Sequence, residues 1–384
     1  MKILVFSSKF CGNTTTFIYN EVIGLSSDTN VKVVCEEREN ERKFPYSDVV
    51  QINRRDSKIL QAIKWRLWLW DIRCDFKNNK FKEELKNLIN SYQPDVIHCH
   101  FGYEAFRLID NLGDDNQDIP IVISFHGYDA SQMLRKKSYV KRLVDLFSKK
   151  SNTYAVYVTN HFRKRLCEAG VPVNDSNSLL LYYGINTEKF CRKNRRKRTS
   201  TVFLQVSSFA PKKGHIYTIE AFRKFLESLP GIDCKLVFAG DGPLRPAIES
   251  LVSNYGMRDH VIFKGWVSPD EAVSLMEDAS VFLHHSVTAE NGDQEGIPNA
   301  IIEAMAMELP ILSTKHSGIP ELVADGKNGF LVEERDVQSY ADKMREIADW
   351  GYQPKNREKV ASLFEITKHN EKLSEFYRQI CNSV

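Results

Sequence analysis

No two cysteines in this 384-residue chain are spaced C-x-x-C; the eight cysteines lie scattered from Cys11 to Cys381. Scattered thiols argue against a disulfide scaffold or a zinc module and suit a reducing compartment. No apolar run approaches the roughly 18 residues that a membrane-spanning helix requires. The opening MKILVFSSKF holds only four apolar residues in a row before serine and lysine. That is too short for a signal-peptide core, so a cytoplasmic location is expected. Net charge is also nearly missing: 53 basic against 50 acidic residues give +3. A nucleic-acid binder carries a larger basic excess, so no nucleic-acid partner is expected. With 42% hydrophobic and 27% charged residues the composition is that of a folded globular protein.

What is present is an alternation of short β-rich runs and helical patterns, and it occurs twice. The first series starts at Ile3–Phe6 and continues through Val31–Cys35, Asp95–His98, Ile121–Phe125, Thr153–Val158 and Leu179–Leu181. Helical patterns such as Phe81–Ile89 and Tyr139–Phe147 lie between them. Such alternation predicts an α/β domain around a parallel sheet. Residues Arg192–Ser200 then contain no apolar side chain. They are read as a basic interdomain linker, a polybasic patch for anionic lipid or nucleic acid being the other reading. The second series follows at once: strands at Thr201–Val206, Lys235–Ala239, Val261–Phe263, Val281–Leu283 and Ile311–Ser313, with helices at Ile219–Leu226, Leu244–Val252, Glu271–Met276 and Pro298–Met307. The predicted domains are therefore 1–191 and 201–363, joined by linker 192–200. Stretch 364–384 is an amphipathic helix carrying Leu373, Phe376, Tyr377 and Ile380 on one face. Doubly wound sheets place ligands at the carboxyl ends of their strands.

The most informative stretch is Glu290–Met305, ENGDQEGIPNAIIEAM. Pro298 suits the first turn of a helix, and Gly296 lets the backbone approach a ligand closely. Free N–H groups at that helix start make a site for phosphate or a developing anion. Glu295 lies beside those donors. Glu303 lies further along the helix, where a carboxylate suits a ribose whose two hydroxyls both donate to it.

The spacing from Glu295 to Glu303, followed by EAMAMELPILST and GIPELV…GKNGFLV, resembles the retaining glycosyltransferases of family four. The resemblance covers the whole chain: TTTFIYNE (Thr14–Glu21), FHGYD (Phe125–Asp129), YGINTEKF (Tyr183–Phe190), APKKG (Ala210–Gly214), AGDGPLR (Ala239–Arg245) and FKGWVS (Phe263–Ser268) follow the family's order. It implies the GT-B fold, two Rossmann-like doubly wound domains that would face each other across a cleft, with the last helix returning to the N-terminal domain. It implies a hexosyl transfer from a nucleotide sugar, UDP-linked in the first place, to a glycan or lipid-linked acceptor, as in bacterial surface-polysaccharide synthesis.

By the same resemblance Glu303 would hold the ribose and Glu295 the donor sugar, with backbone N–H groups from Gly296 and Ile297. Lys213 would neutralise the diphosphate, and charge building on a leaving group makes such a cation useful. His126 would face the sugar at a strand end, with Asp129 as a donor-side residue or a helix cap. The family's usual arginine is Ser208 here, and its usual aspartate is Asn186. Lys212 or Arg245 would have to compensate, and the alternative is a catalytically silent nucleotide-sugar binder. A phosphorylase would need a pyridoxal-lysine motif, which is not found. The D-x-D motif of metal-dependent transferases is missing, Asp293-Gln294-Glu295 being the nearest approach, so no metal cofactor is expected. His284 and His285 are adjacent on a strand, point to opposite faces and make a poor metal pair. Finally, Trp65, Trp68 and Trp70 among Lys64, Arg66 and Arg73 read either as an interfacial helix giving peripheral inner-membrane contact or as core packing.

Overall fold

The computed structural model describes residues 1–12, 16–52, 66–67, 79–112, 118–193 and 200–382. Thr14, Trp65, Trp68, Trp70 and residues 194–199 of the basic stretch lie outside the described residues. The chain divides into two compact units, one formed by Met1–Gly184 with Ile366–Val384 and the other by Ile185–Glu365.

The first unit is a seven-stranded parallel sheet in the order Val49–Gln51, Asn30–Cys35, Lys2–Phe6, Val96–His100, Ile121–Phe125, Thr153–Tyr157, Ser178–Leu180. Alternate residues of the first strand serve opposite layers. Leu4 and Phe6 pack with Phe81, Leu85 and Ile89 of helix Asn79–Tyr92 and with Leu143 of helix Lys137–Lys149. Ile3 and Val5 pack with Ile18 and Val22 of helix Thr16–Leu25 and with Leu373, Phe376, Tyr377 and Ile380 of helix Ile366–Cys381. With both faces covered, the central strands are continuously buried, which is why they read as unbroken apolar runs.

The second unit is a six-stranded parallel sheet in the order Val261–Gly265, Cys234–Ala239, Thr201–Val206, Val281–His284, Ile311–Thr314, Gly329–Val332. This is the 3-2-1-4-5-6 doubly wound order, whose switch point lies between strands Thr201–Val206 and Val281–His284. Local chemistry sets its helix starts. Before helix Pro269–Asp278, the Ser268 hydroxyl accepts the Glu271 N–H at 3.3 Å, and the Glu271 carboxylate accepts the Ser268 N–H at 2.7 Å.

One expectation is corrected at the boundary. Arg192, the first residue of the presumed solvated linker, is only 9% exposed. Its guanidinium donates to the carbonyls of Met276 and Glu277 at 2.8 Å and of Met307 at 2.9 Å. Helix C-termini leave such carbonyls without partners, and a buried arginine satisfies them at two helices at once. Arg357 likewise donates to Phe190 O at 2.8 Å and Thr187 O at 3.1 Å. Residues from Ile185 onward therefore belong to the second unit. Helix Pro298–Met307 is also trimmed: it runs Asn299–Ala306, with Pro298 in the cap position before it.

Candidate active site

In the second unit the candidate residues gather where strands end at the switch point. After strand Thr201–Val206 the chain makes a tight turn at Pro211–Lys213 and reaches Gly214 with φ +60°. A Cβ added at Gly214 would sit 1.8 Å from the His285 carbonyl oxygen, so only glycine lets this loop lie directly on the one after strand Val281–His284. The backbone carbonyl of Lys212 accepts from Val287 N–H at 3.0 Å, and that of Lys213 from Gln205 Nε2 at 3.0 Å. Both lysines thus aim at one carboxylate. Lys213 Nζ lies 2.7 Å from Glu295 Oε2 and Lys212 Nζ 3.0 Å from Glu295 Oε1; Lys212 also reaches Asp293 Oδ2 at 3.0 Å.

Burial opposes ionisation of Glu295, but Lys213 and Lys212 outweigh it and hold the carboxyl far below its ordinary range. Lys212 is affected reciprocally: burial lowers its pKa, yet Glu295 and Asp293 raise it overall. Glu295 and Lys212 are therefore both charged at neutral pH. The cluster's backbone is pinned from behind, where Glu295 N–H donates to His316 Nε2 at 3.1 Å and His316 Nδ1 lies 2.5 Å from Glu334 Oε1. Accepting at Nε2 requires the proton on Nδ1, so Glu334 fixes the histidine tautomer.

Gly296 and Ile297 are buried, and their N–H groups donate to no group among the described residues. Beside them starts helix Asn299–Ala306, which has no side-chain cap. Free backbone donors at an uncapped helix start are suited to an anion. Glu303, on this helix and partly buried, makes no side-chain hydrogen bond among the described residues. Loss of hydration pushes its carboxyl up to about 7, against a lowering by Lys189. Ser208 is exposed on the loop after the first strand of this sheet. Of the two proposed substitutes for the absent arginine, Arg245 is engaged locally with Asp241 at 3.1 Å and Glu249 at 2.7 Å. Lys212 is the one placed in the cluster.

In the first unit His126 follows strand Ile121–Phe125. Its Nε2 lies 3.1 Å from His100 Nδ1 and its Nδ1 2.9 Å from Tyr183 Oη. The ring stacks on Tyr183 at 9° and packs on Phe17 with centroids 4.6 Å apart. Burial, and secondarily the neighbouring His100, depresses its pKa well below the ordinary value, so it is neutral. Asp129 is fully buried and accepts the N–H groups of Gly102 and His126 at 3.0 Å and of Gly127 at 3.2 Å. It shapes the loop that carries His126.

Several residues of these sites escaped the sequence reading. His316 and Glu334 support Glu295. His284 Nε2 is buried without a partner, and Lys213 contributes to depressing this imidazole's pKa after burial itself. His284 and His285 turn to different neighbours, Ser286 Oγ at 2.8 Å and Arg335 N–H at 3.1 Å. In the first unit, Glu21 and the alternating pair His98 and His100 converge behind His126. The H-x-H spacing on a strand, which puts both rings on one face, was the available signal.

Comparison with known proteins matches residues 15–189 to the family described as Glycosyltransferase Family 4 and residues 186–362 to Glycosyl transferases group 1. The putative colanic acid biosynthesis glycosyltransferase WcaL of Escherichia coli K12 is 30% identical over 312 residues, spanning 78% of this chain and 74% of that protein. An Escherichia coli UDP-Gal:alpha-D-GlcNAc-diphosphoundecaprenol alpha-1,3-galactosyltransferase is 24% identical over 327 residues, spanning 78% of this chain and 81% of that protein. Among solved structures, Anabaena HepE in complex with UDP superposes with a TM-score of 0.74 at 17% identity, covering 99% of this chain and all of that one.

Proposed function

This chain belongs to the family 4 glycosyltransferases, with their GT-B fold of two Rossmann-like domains, and from that premise we propose that it transfers a hexosyl unit from a UDP-sugar to a glycan or lipid-linked acceptor in bacterial surface-polysaccharide synthesis, with retention of configuration and without a metal at the diphosphate. The observation that carries the proposal is the charged cluster of Lys212, Lys213 and Glu295 beside the unpaired N–H groups of Gly296 and Ile297. Two lysines and a helix start supply positive potential where a diphosphate gains charge as its bond to the sugar breaks. Glu295 keeps both lysines in place until the donor enters. It then exchanges one ammonium partner for sugar hydroxyls, to which an ionised carboxylate is a strong acceptor. Glu303 takes the ribose hydroxyls. The departing diphosphate accepts the acceptor's proton on the same face, so no separate general base is required. UDP as the nucleotide and a lipid-linked acceptor are supported by the names of the galactosyltransferase relative and of the HepE complex.

The decisive experiment is incubation of the protein with UDP-glucose, UDP-galactose, UDP-GlcNAc and GDP-mannose, following both thermal stabilisation and slow hydrolysis without acceptor. A bound donor at a hundredfold over its Kd stabilises the fold by about 2.7 kcal/mol. Stabilisation accompanied by hydrolysis supports a transferase. Stabilisation without turnover, restored by Ser208→Arg, establishes the silent binder instead, and no response to any donor overturns the proposal.

A further inference from the structure

Among the described residues, one group of His, Cys, Asp and Glu side chains brings three potential ligand atoms within 4.8 Å of one another: Glu21, His98 and His100, in the first unit. His98 and His100 alternate on strand Val96–His100, so their rings share a face, with centroids 4.3 Å apart. Helix Thr16–Leu25 lays Glu21 over that face, and helix Ile366–Cys381 adds His369. Both strand histidines are 0% exposed, Glu21 5% and His369 8%.

The hydrogen bonds around this group decide where the imidazole protons sit. His369 Nδ1 lies 2.7 Å from the Tyr182 carbonyl, which can only accept, so Nδ1 carries the proton and Nε2 points a lone pair at Glu21 Oε2, 3.3 Å away. The Tyr183 hydroxyl lies 2.9 Å from His126 Nδ1 and 3.4 Å from the His126 carbonyl, and in the tautomer where it donates to the carbonyl its oxygen accepts from His126 Nδ1. In that tautomer His126 Nε2 accepts from His100 Nδ1, leaving a lone pair on His100 Nε2. That nitrogen and Glu21 Oε1 are both buried without a hydrogen-bond partner among the described residues, and they face each other at 3.4 Å. At His98, donation from Nε2 to Ser124 Oγ at 2.7 Å leaves Nδ1 as an acceptor, 2.6 Å from Tyr377 Oη and 3.2 Å from Glu21 Oε1. Three imidazoles each anchor one N–H outward and aim the other nitrogen at a single buried carboxylate. Lone pairs that face one another away from water are compensated by a cation between them, either a proton or a metal ion.

We propose that Glu21, His98 and His100 bind a divalent first-row transition-metal ion, zinc foremost, with His369 as the neighbouring nitrogen available to complete the site. Metal–ligand bonds of about 2.0–2.1 Å in a tetrahedron set ligand atoms about 3.3–3.4 Å apart, and the separations from Glu21 Oε1 to His98 and His100 are 3.2 and 3.4 Å. Imidazole nitrogens with a carboxylate oxygen are the donor set that such ions select. Outward N–H groups held by Ser124, His126 and a carbonyl are the supporting bonds that fix histidine ligands. Tyr377 Oη lies 2.6 Å from His98 Nδ1 and donates to it in the metal-free protein, so a metal on that nitrogen displaces this hydrogen bond. An ion on His100 Nε2 also holds the proton of Nδ1 toward His126, so the metal is a positioning element for that residue. The site stands on the first unit's geometry alone and does not depend on the transferase reading.

The test uses the untagged full-length protein, stripped by chelator and equilibrated with one equivalent of Zn²⁺ or Co²⁺ before desalting. One metal per chain by elemental analysis is expected, with the visible absorption of tetrahedral Co²⁺ and a raised thermal midpoint. Glu21→Gln should lose the metal and the absorption, whereas His260→Gln, in the other unit, should keep both. Failure of the wild type to retain either ion overturns the proposal, as does equal retention by folded Glu21→Gln. If Glu21→Gln does not fold, the wild-type stoichiometry and Co²⁺ spectrum decide alone.

Discussion

The two units repeat one architectural scheme, yet they equip it with opposite electrostatics. Each has parallel strands flanking a switch point, and each brings its candidate residues to the carboxyl ends of those strands. In the second unit the loops deliver charged groups: Lys212 and Lys213 are ion-paired to Glu295, and Glu295 and Lys212 hold each other ionised. In the first unit the same positions deliver His126 and Tyr183, uncharged groups stacked and hydrogen-bonded to one another. A diphosphate needs permanent positive charge, whereas sugar or acceptor hydroxyls need neutral donors and acceptors. The comparison teaches that the sheet supplies an address, while the residues in the loops after each strand decide which chemistry is performed there.

The comparison breaks most sharply at Lys213. Lys213→Ala should lower turnover by about a hundredfold to a thousandfold with a smaller change in donor KM, because the cation matters most as the leaving group charges. Near-normal turnover in steady-state assays would transfer the role to Lys212. In the first unit the largest effect should fall on stability. Asp129→Ala strands three buried N–H groups, each worth about 1–3 kcal/mol. Urea unfolding should therefore show a loss of about 3 kcal/mol or more, with UDP affinity in the second unit retained.

Glu303→Gln sharpens the assignment within the charged unit, and UDP affinity measured by calorimetry should fall about tenfold. Its pH dependence is specific. The carboxyl titrates at about 7, and only the ionised form accepts from both ribose hydroxyls. Wild-type affinity should therefore rise more steeply between about pH 6 and about pH 8 than that of the variant, which keeps only the rise from ionisation of the UDP terminal phosphate. The smallest expected effect is that of added Mg²⁺ or Mn²⁺: on the proposal that the lysines serve the phosphate side, initial rates should not change. A strict requirement for either ion would show that these lysines are insufficient.

The fold was largely legible because its strands are buried on both faces and stand out as apolar runs. Strand Thr201–Val206 was read to the residue, bracketed by charge before it and serines after it. Strand Val49–Gln51 was missed because three residues in a polar setting give no period to detect. Strand Gly329–Val332 was noticed only as part of a motif. Within the site, Glu295 and Lys213 were legible through Gly-Ile-Pro and Lys-Lys-Gly, local patterns with local consequences. Arg192 was misjudged because its neighbours are basic, while the carbonyls it serves come from helices remote in sequence. Glu21, His98 and His100 were missed for the same reason. The His-x-His spacing on the strand was the one local signal, and Glu21, on a helix remote in sequence, left none.

The last helix has a consequence for biosynthesis. Ile366–Cys381 completes the first unit, covering Ile3, Val5, Val31 and Val33 with Leu373, Phe376 and Tyr377. Synthesis proceeds from the N-terminus, so residues 1–184 leave the ribosome long before that cover exists. The second unit, continuous from Ile185 to Glu365, has every strand in hand earlier than the first has its final helix. The part of the nascent chain made first is therefore the last to close its core. While it waits, one apolar face of its sheet stays open, and such a half-dressed intermediate is the kind that chaperones recognise. His369 and Tyr377 arrive with the same helix, so the buried imidazole cluster is sealed in the last act of folding.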